Sequence, residues 1–359
     1  VSGAHLDKNF GKTIEEIKKD NFKIYSEVKI EMKDYNLTST PLAISSGIKS
    51  LTPLLKKIKP NFFLVYADRF EGFSAIITST QMNIPTIHVE GGDITEGGAF
   101  DDSVRHAMTK LSHIHFTTNH EATKRILGMG EEKWRVKTVG FPAIDLIKDK
   151  RFYKEEEITK KIRIKFDKPT ILFTQHSVTT TFEQTTFQIT QSLKALKKIS
   201  LKDVQIIITY PNNDLGGKII IKEIKKYKKE NNIFIFKSLG SEIYHGILSL
   251  KKQGKNIVCA GNSSSGIKET AIFGCPTLNI GSRQKNRMRG NNVIDSEYDS
   301  NEIYRKLLKC LYDKRFIYKC KKTPNPYGGG KAGKKIVDYL QKLNFSKKKI
   351  LTKKHQIKI

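Results

Sequence analysis

The stretch NFFLVYADRFEGFSAIITSTQMNIPTIHVEGGD (61–93) decides the fold class. Its two short apolar runs, FFLVY (62–66) and IPTIHV (84–89), each read as a fully buried strand. Residues 71–81 between them have the length and composition of a crossover helix. A strand–helix–strand unit makes its strands parallel. The charges that end each run therefore share one carboxyl edge: Asp68, Arg69 and Glu71 after the first, Glu90 after the second. Open α/β sheets bind ligands at that edge. A third acidic pair, Asp101–Asp102, opens the next helix and precedes Arg105 and His106. Carboxylates, arginines and a histidine converging on one cleft make a chemical arrangement rather than a packing one.

Strand and helix keep alternating outward from this unit. A helix is expected near residues 42–58, and strands at IHFTT (114–118) and VKTVG (136–140). The spacing predicts a helix over 102–112 with Val104, Met108 and Leu111 on one side. Arg105 falls off that stripe, which would leave its guanidinium open to the cleft. His106 reads either as a ligand contact or as a satisfied core histidine. Residues 147–168 are charged and nearly free of strand signal, and read as a domain boundary. A second series follows: TILFTQ (170–175), VQIIITY (204–210), IFIF (233–236), NIVCAG (256–261) and TLNI (277–280). Helices are expected at 303–313 and 331–343, separated by PNPYGGGK, a break from which the last helix could return to the first domain. The fold class is α/β, with two doubly wound Rossmann-like domains facing a cleft.

At 359 residues with 38% hydrophobic content the chain can bury a core for two domains. No apolar run approaches a membrane span, and no signal peptide is visible, so the cytoplasm is the default. The four cysteines (Cys259, Cys275, Cys310, Cys320) show neither CxxC spacing nor clustered histidines, so neither a zinc site nor a disulfide framework is implied. The net charge of +29 raises the question of nucleic acid. Its lysines are scattered over helix faces and gather in the tail beyond residue 344, which is expected to be disordered. No recognition-helix, RNP or zinc-finger pattern accompanies them, which favours a solvated basic surface, with no nucleic-acid or membrane partner.

GNSSSGIKE (261–269) follows a strand directly and opens a helix. Small residues admit a phosphate to backbone N–H groups, and hydroxyls add donors at a helix N-terminus. Serines also cap helices, yet three of them between two glycines exceed what a cap requires. Ser263, Ser264, Ser265 and Gly266 are therefore read as a phosphate site, and Glu269 as suited to ribose hydroxyls. Thr174, Gln175 and His176 end another strand of this domain, as does YPNND (210–214) with Asn213. NIGSRQKNRMRG (279–290) places Arg283 just past a strand end, whereas Arg287 and Arg289 read as a surface basic loop.

These motifs resemble those of the hydrolysing UDP-N-acetylglucosamine 2-epimerases of bacterial sialic and legionaminic acid pathways. The resemblance rests on HLxxxFGxT (5–13), DRFE (68–71), HVEGGD (88–93), DDSxRHAxTKLSHxHF (101–116), TQHxVTT (174–180), PNND (211–214), GNSSSGIKE, FGCPTLNIGSRQ (273–284) and NPYGGGKA (325–332). It implies a glycosyltransferase-B-like fold: an N-terminal domain over 1–150 and a UDP-binding domain over 165–325. A helix over 326–345 would pack back on the first domain, ahead of a basic tail over 346–359. It also implies a UDP-sugar substrate, no cofactor, and a homo-oligomer, dimer or tetramer. The implied acid–base residues are Asp68, Glu90 and Asp101. Arg69 and Arg105 would orient them or hold phosphate, and His176 would stabilise the leaving diphosphate. Ser263, Ser264 and Arg283 would contact phosphate, Glu269 the ribose, and His5, His106 and Asn213 the substrate.

Three departures stand out. The family begins with a strand and a basic loop ahead of the segment that starts at Val1, so the first strand of domain one is expected to be missing. Ala67 stands where the family has glycine. The segment from Glu90 to Asp101 is longer than in the sialic-acid enzymes, which brings in a diacetamido-trideoxy UDP-sugar as substrate. Other readings are a retaining glycosyltransferase of the same fold, a non-catalytic nucleotide-sugar-binding protein and a basic nucleic-acid-binding protein.

Overall fold

The structure, a computed structural model, describes residues 1–7, 13–30, 38–95, 100–212 and 214–355, with the backbone alone at 4, 100 and 101. The chain divides into two compact units, Val1–Asp145 with Tyr327–Ile359, and Leu146–Pro326.

In the first unit β1 (Phe63–Tyr66), β2 (Thr86–Val89), β3 (Ile114–Thr117) and β4 (Val136–Thr138) pair in that order, all parallel. β2 and β3 are buried at every residue. β1 is not, contrary to the reading of FFLVY as fully buried: Leu64 is 51% and Tyr66 47% exposed. Alternate strand residues face opposite ways, and Phe63 and Val65 pack with residues of helices Ser39–Ile58 and Phe70–Gln81 while the other face is open. Helix Ala332–Lys342 packs Ile336, Tyr339 and Leu340 against Ile87, Val89, Ile114 and Phe116. Its first amides, on Ala332 and Gly333, donate to the Asp145 carboxylate at 2.9 and 2.8 Å. A carboxylate there satisfies unpaired helix N–H groups and suits the helix dipole.

The basic tail is not disordered over its described part. Residues Lys347–Leu351 form a helix with Ile350 buried. Arg135 closes that helix's C-terminal end, donating to the carbonyls of Ile350 (2.8 Å) and Thr352 (2.7 Å). Lys353 reaches Glu131 at 2.9 Å. Lysine-rich composition signalled a solvated segment, but the orphan carbonyls of a helix end attract a cation, and Arg135 supplies one.

In the second unit β5 (Thr170–Thr174), β6 (Gln205–Thr209), β7 (Ile233–Phe236), β8 (Ile257–Gly261), β9 (Thr277–Ile280) and β10 (Val293–Ser296) form one parallel sheet in the order β10-β9-β8-β5-β6-β7. The chain winds outward from β5 through β6 to β7, then returns to β8 on β5's other side. That is the Rossmann order, and its reversal point lies between β5 and β8. β10 escapes a reading of periodicity because VIDS is short and half polar. Residues 147–168, expected as the charged, nearly strand-free boundary between domains, follow the division at Asp145 and Leu146 and belong to the second unit. They carry helix Glu155–Ile162, and Ile158, Ile164 and Phe166 are built into that unit's core.

Glu131 offers a test of how the tail is held. It is 2% exposed and accepts hydrogen bonds from Lys110 (2.6 Å) and His115 (3.2 Å) as well as from Lys353. Burial alone would raise its pKa, but these three bonds outweigh it and hold the carboxyl well below the usual carboxylate range. Glu131→Ala leaves the partly buried Lys110 and Lys353 without their carboxylate, and about 2 kcal/mol of stability is expected to go. Urea unfolding measures that loss, and limited trypsinolysis should cut faster within 347–349. A loss under about 1 kcal/mol would mean the tail is anchored elsewhere.

Candidate functional site

Two carboxyl edges carry the chemistry, one in each unit. In the first, β1 and β2 end in residues of left-handed conformation, Ala67 (φ +61°) and Glu90 (φ +71°). Non-glycine residues enter this region at a cost, so other contacts must hold them there. Ala67 N–H donates to Val89 O (3.0 Å), and Glu90 N–H donates to Phe116 O (2.8 Å). The Ala67 carbonyl accepts from Nε2 of His88 at 2.8 Å. A carbonyl can only accept, so Nε2 carries the proton and Nδ1 accepts from the Thr109 hydroxyl at 3.2 Å. Burial pushes the His88 pKa down to about 4. The histidine of HVEGGD is therefore a neutral brace for the turn that carries Asp68.

Arg105, expected to face the cleft and to orient the carboxylates or hold phosphate, is 1% exposed and turned onto its neighbours. Nη1 donates to Asp93 O (2.9 Å) and Asp102 Oδ1 (2.7 Å), and Nη2 donates to Asp68 Oδ2. Asp102 also accepts from Thr95, from the amide at 2.9 Å and from the hydroxyl at 2.9 Å. Arg125 donates to Gly92 O. One buried cation thus ties the turn after β1 to helix Phe100–Leu111 and to the loop after β2. Arg69 pairs with Glu71 at 3.2 Å. His5 is exposed and contacts Thr13 Oγ1 at 2.8 Å. His106 is half-buried, and burial and the Arg105 charge keep its pKa below the ordinary imidazole value. Its Nδ1 has no partner among the described residues.

In the second unit the loops after β5 and β8 are joined by Asn262, which is completely buried. Its Oδ1 accepts from His176 N (2.7 Å) and its Nδ2 donates to His176 O (2.9 Å). The amide of Asn212 donates to His176 Nδ1 at 3.1 Å. A neutral His176 must then carry its proton on Nε2, a donor suited to an anion. Gly261 is obligatory: at φ +116° an added Cβ would stand 1.9 Å from Thr174 O. Ser263 holds the N-cap position of helix Ser264–Lys268 without a side-chain capping bond. Its hydroxyl lies 3.0 Å from Ser265 Oγ, which lies 2.8 Å from Tyr244 OH. Arg283 donates to Asn262 O at 3.3 Å and stands 4.0 Å from Asp214. Arg287 and Arg289 are not a surface loop. Arg287 is 8% exposed and bonds Gln284, and Arg289 donates to Lys285 O at 2.7 Å and pairs with Asp295. Glu269, 8% exposed, lies 2.8 Å from Nε2 of His245.

A phosphate-suited loop at the reversal point of one sheet and an acidic edge on another describe a nucleotide-sugar enzyme. The family described as UDP-N-acetylglucosamine 2-epimerase matches residues 1–341. The chain belongs to the UDP-N-acetylglucosamine 2-epimerase family. A GDP/UDP-N,N'-diacetylbacillosamine 2-epimerase (hydrolyzing) of Campylobacter jejuni is 36% identical over 86% of this chain and 78% of its own. A UDP-N,N'-diacetylbacillosamine 2-epimerase (hydrolyzing) of Legionella pneumophila is 31% identical over 95% and 86%. The fold is shared with the UDP-GlcNAc 2-epimerase of Neisseria meningitidis, solved bound to UDP-GlcNAc, at a TM-score of 0.74 and 19% identity over 92% and 89%.

Among this family member's sequence-predicted residues, Asp68 and Arg105 are bonded to each other, and Glu90 lies at the adjacent strand end. His176 and Arg283 meet at Asn262. The Asp101 side chain and Asn213 lie outside the described residues. Asn262 and His245 were missed, and Asp102 was read as half of the acidic pair that opens its helix but without its bond to Arg105. The signal for Asn262 was a polar residue directly after a strand.

His88 predicts a pH dependence. An unfolded imidazole titrates near 6.5 and the folded one near 4, so the unfolded chain binds more protons between those values. Stability is then complete above 6.5 and falls as pH drops toward 4, by on the order of 3 kcal/mol. Urea unfolding from pH 7.5 to 4.5 should show this slope, and His88→Gln should make it shallower, the remainder coming from groups such as His113, which burial also pushes down to about 4. An unchanged slope in that variant would assign the effect to other histidines.

Proposed function

We propose that the protein is a hydrolysing 2-epimerase of a UDP-linked 2-acetamido sugar. It releases UDP and the free manno-configured sugar, which serves nonulosonic acid synthesis. The observation that carries the reading is the acidic edge of the first sheet, where Asp68 is held by the buried Arg105 beside the strand end bearing Glu90. The reaction breaks the bond from C1 to the UDP oxygen as a base removes the C2 proton from the opposite face, leaving a glycal and UDP. Water then adds its hydroxyl to C1, and an acid returns a proton to C2 on the other face. No carbon changes its net oxidation state over the cycle, so no redox cofactor takes part. Asp68, Glu90 and Asp101 are the acid–base residues. His176 Nε2–H meets the charge developing on the diphosphate, with Ser263, Ser264 and Arg283 contacting phosphate. Glu269 accepts the ribose hydroxyls.

The two relatives named for diacetylbacillosamine support the 2,4-diacetamido sugar over UDP-GlcNAc as the preferred substrate. Proton NMR in deuterated water with each UDP-sugar tests this. Free sugar carrying deuterium at C2, with UDP released, is expected, and faster from the diacetamido substrate. Binding of both without turnover would leave a nucleotide-sugar-binding protein. Asp68→Asn should lower kcat by about 100- to 10,000-fold while changing the Kd for UDP by less than about threefold. A matching loss of UDP affinity would place Asp68 in binding rather than in proton transfer.

A further inference from the structure

We propose that His245 is a positioning residue for the nucleoside, holding the Glu269 carboxylate in the rotamer that accepts the ribose hydroxyls of UDP. The inference rests on the reading of Glu269 as the ribose contact.

His245 lies on helix Gly240–Ser249 and is 4% exposed. A carboxylate only accepts, so at 2.8 Å from Glu269 Oε2 the imidazole Nε2 must be the donor. The ring is held between neighbours: Tyr244 meets it edge-on at 6.0 Å, and Phe273 is tilted against it at 6.2 Å. It cannot turn without disturbing a packed layer. Its other nitrogen, Nδ1, is buried with no partner among the described residues. An apolar side chain would fill this space without stranding a polar atom. The histidine therefore makes sense through the bond it gives Glu269.

The residue before it acts in parallel. Tyr244 OH contacts Ser265 Oγ, which contacts Ser263 Oγ. Consecutive side chains of one helix thus back both ends of the short helix Ser264–Lys268: Tyr244 stands behind the serines at its start, His245 behind the glutamate that closes it. A glutamate side chain has three rotatable bonds, and fixing them before the ligand arrives removes an ordering cost from binding.

The test compares UDP with 2′-deoxyuridine diphosphate by calorimetry on the full chain. The wild type should bind UDP at least about 10-fold more tightly, the worth of a hydrogen bond to a charged group. His245→Leu should reduce that preference to within about twofold, raising KM for the UDP-sugar with kcat nearly unchanged. His245→Gln places an amide donor close to where Nε2 stands and should keep most of the preference. Should His245→Leu not fold, His245→Phe retains a ring without a donor and carries the same expectation. A wild type that does not discriminate would remove Glu269 from the ribose, and the proposal with it. A wild type that discriminates while the leucine or phenylalanine variant does so equally, or the glutamine variant loses the preference as fully, would overturn the positioning role alone.

Discussion

The buried guanidinium of Arg105 is the constraint on which the first unit's edge depends. A cation removed from water is tolerated only where its hydrogen-bonding capacity is met. Here the partners come from three places: Asp68 after β1, the Asp93 carbonyl after β2, and Asp102 one turn back on its own helix. Removing any one leaves a charge stranded, so helix and strand ends are fixed relative to one another at the same stroke. The left-handed conformations of Ala67 and Glu90 follow from the same economy of space. Each turns the chain sharply as it leaves a strand, and each is held by an amide bonded to the next strand. At position 67 the residue is alanine rather than the permissive glycine, and the neutral His88 bonded to its carbonyl helps keep the backbone there.

The second unit reaches rigidity by other means. At its carboxyl edge a neutral amide does the joining, with Asn262 donating to and accepting from the backbone of His176. The difference suits the ligands proposed. A dianionic diphosphate is best met by fixed N–H and O–H dipoles and a few cations, and a carboxylate close to it would repel. Acid–base work on a neutral sugar needs carboxylates, and those must be oriented by charge. Arg287 and Arg289, folded back on Gln284 and Lys285, shape the loop that carries Arg283. They serve the site indirectly, which motif spacing cannot reveal.

Most of the architecture was legible because strand–helix alternation is a strong, local signal. Nine of the ten strands among the described residues lie under apolar runs read from the sequence, and β10 does not because two of its four residues, Asp295 and Ser296, are polar. Burial of individual faces was less legible. The exposed Leu64 and Tyr66 belong to a run as apolar as its neighbours, and only the absence of a covering layer distinguishes them. At the site, residue types were readable and their partners were not. Arg105 was seen beside carboxylates, but whether a guanidinium faces ligand or is consumed by its neighbours depends on packing between distant segments. His245 carried no motif at all. Its significance comes entirely from a contact spanning 24 residues of sequence.

The basic excess shows the same limit in another form. A net charge of +29 reads as solvated lysine, and much of it is. Yet several cations close structural gaps that acidic residues could not. Arg135 meets the carbonyls at the end of the tail helix, Lys353 donates to the carbonyls of Lys110 and Ser112, and Arg289 donates to those of Gln284 and Lys285. Orphan carbonyls are acceptors, and only donors relieve them. A long basic side chain can span the distance from a surface stem to a buried acceptor, carrying apolar methylenes through the packed layer on the way. Part of the positive charge is thus a consequence of how chain ends and loops are closed, and net charge by itself is a poor guide to this protein's ligands.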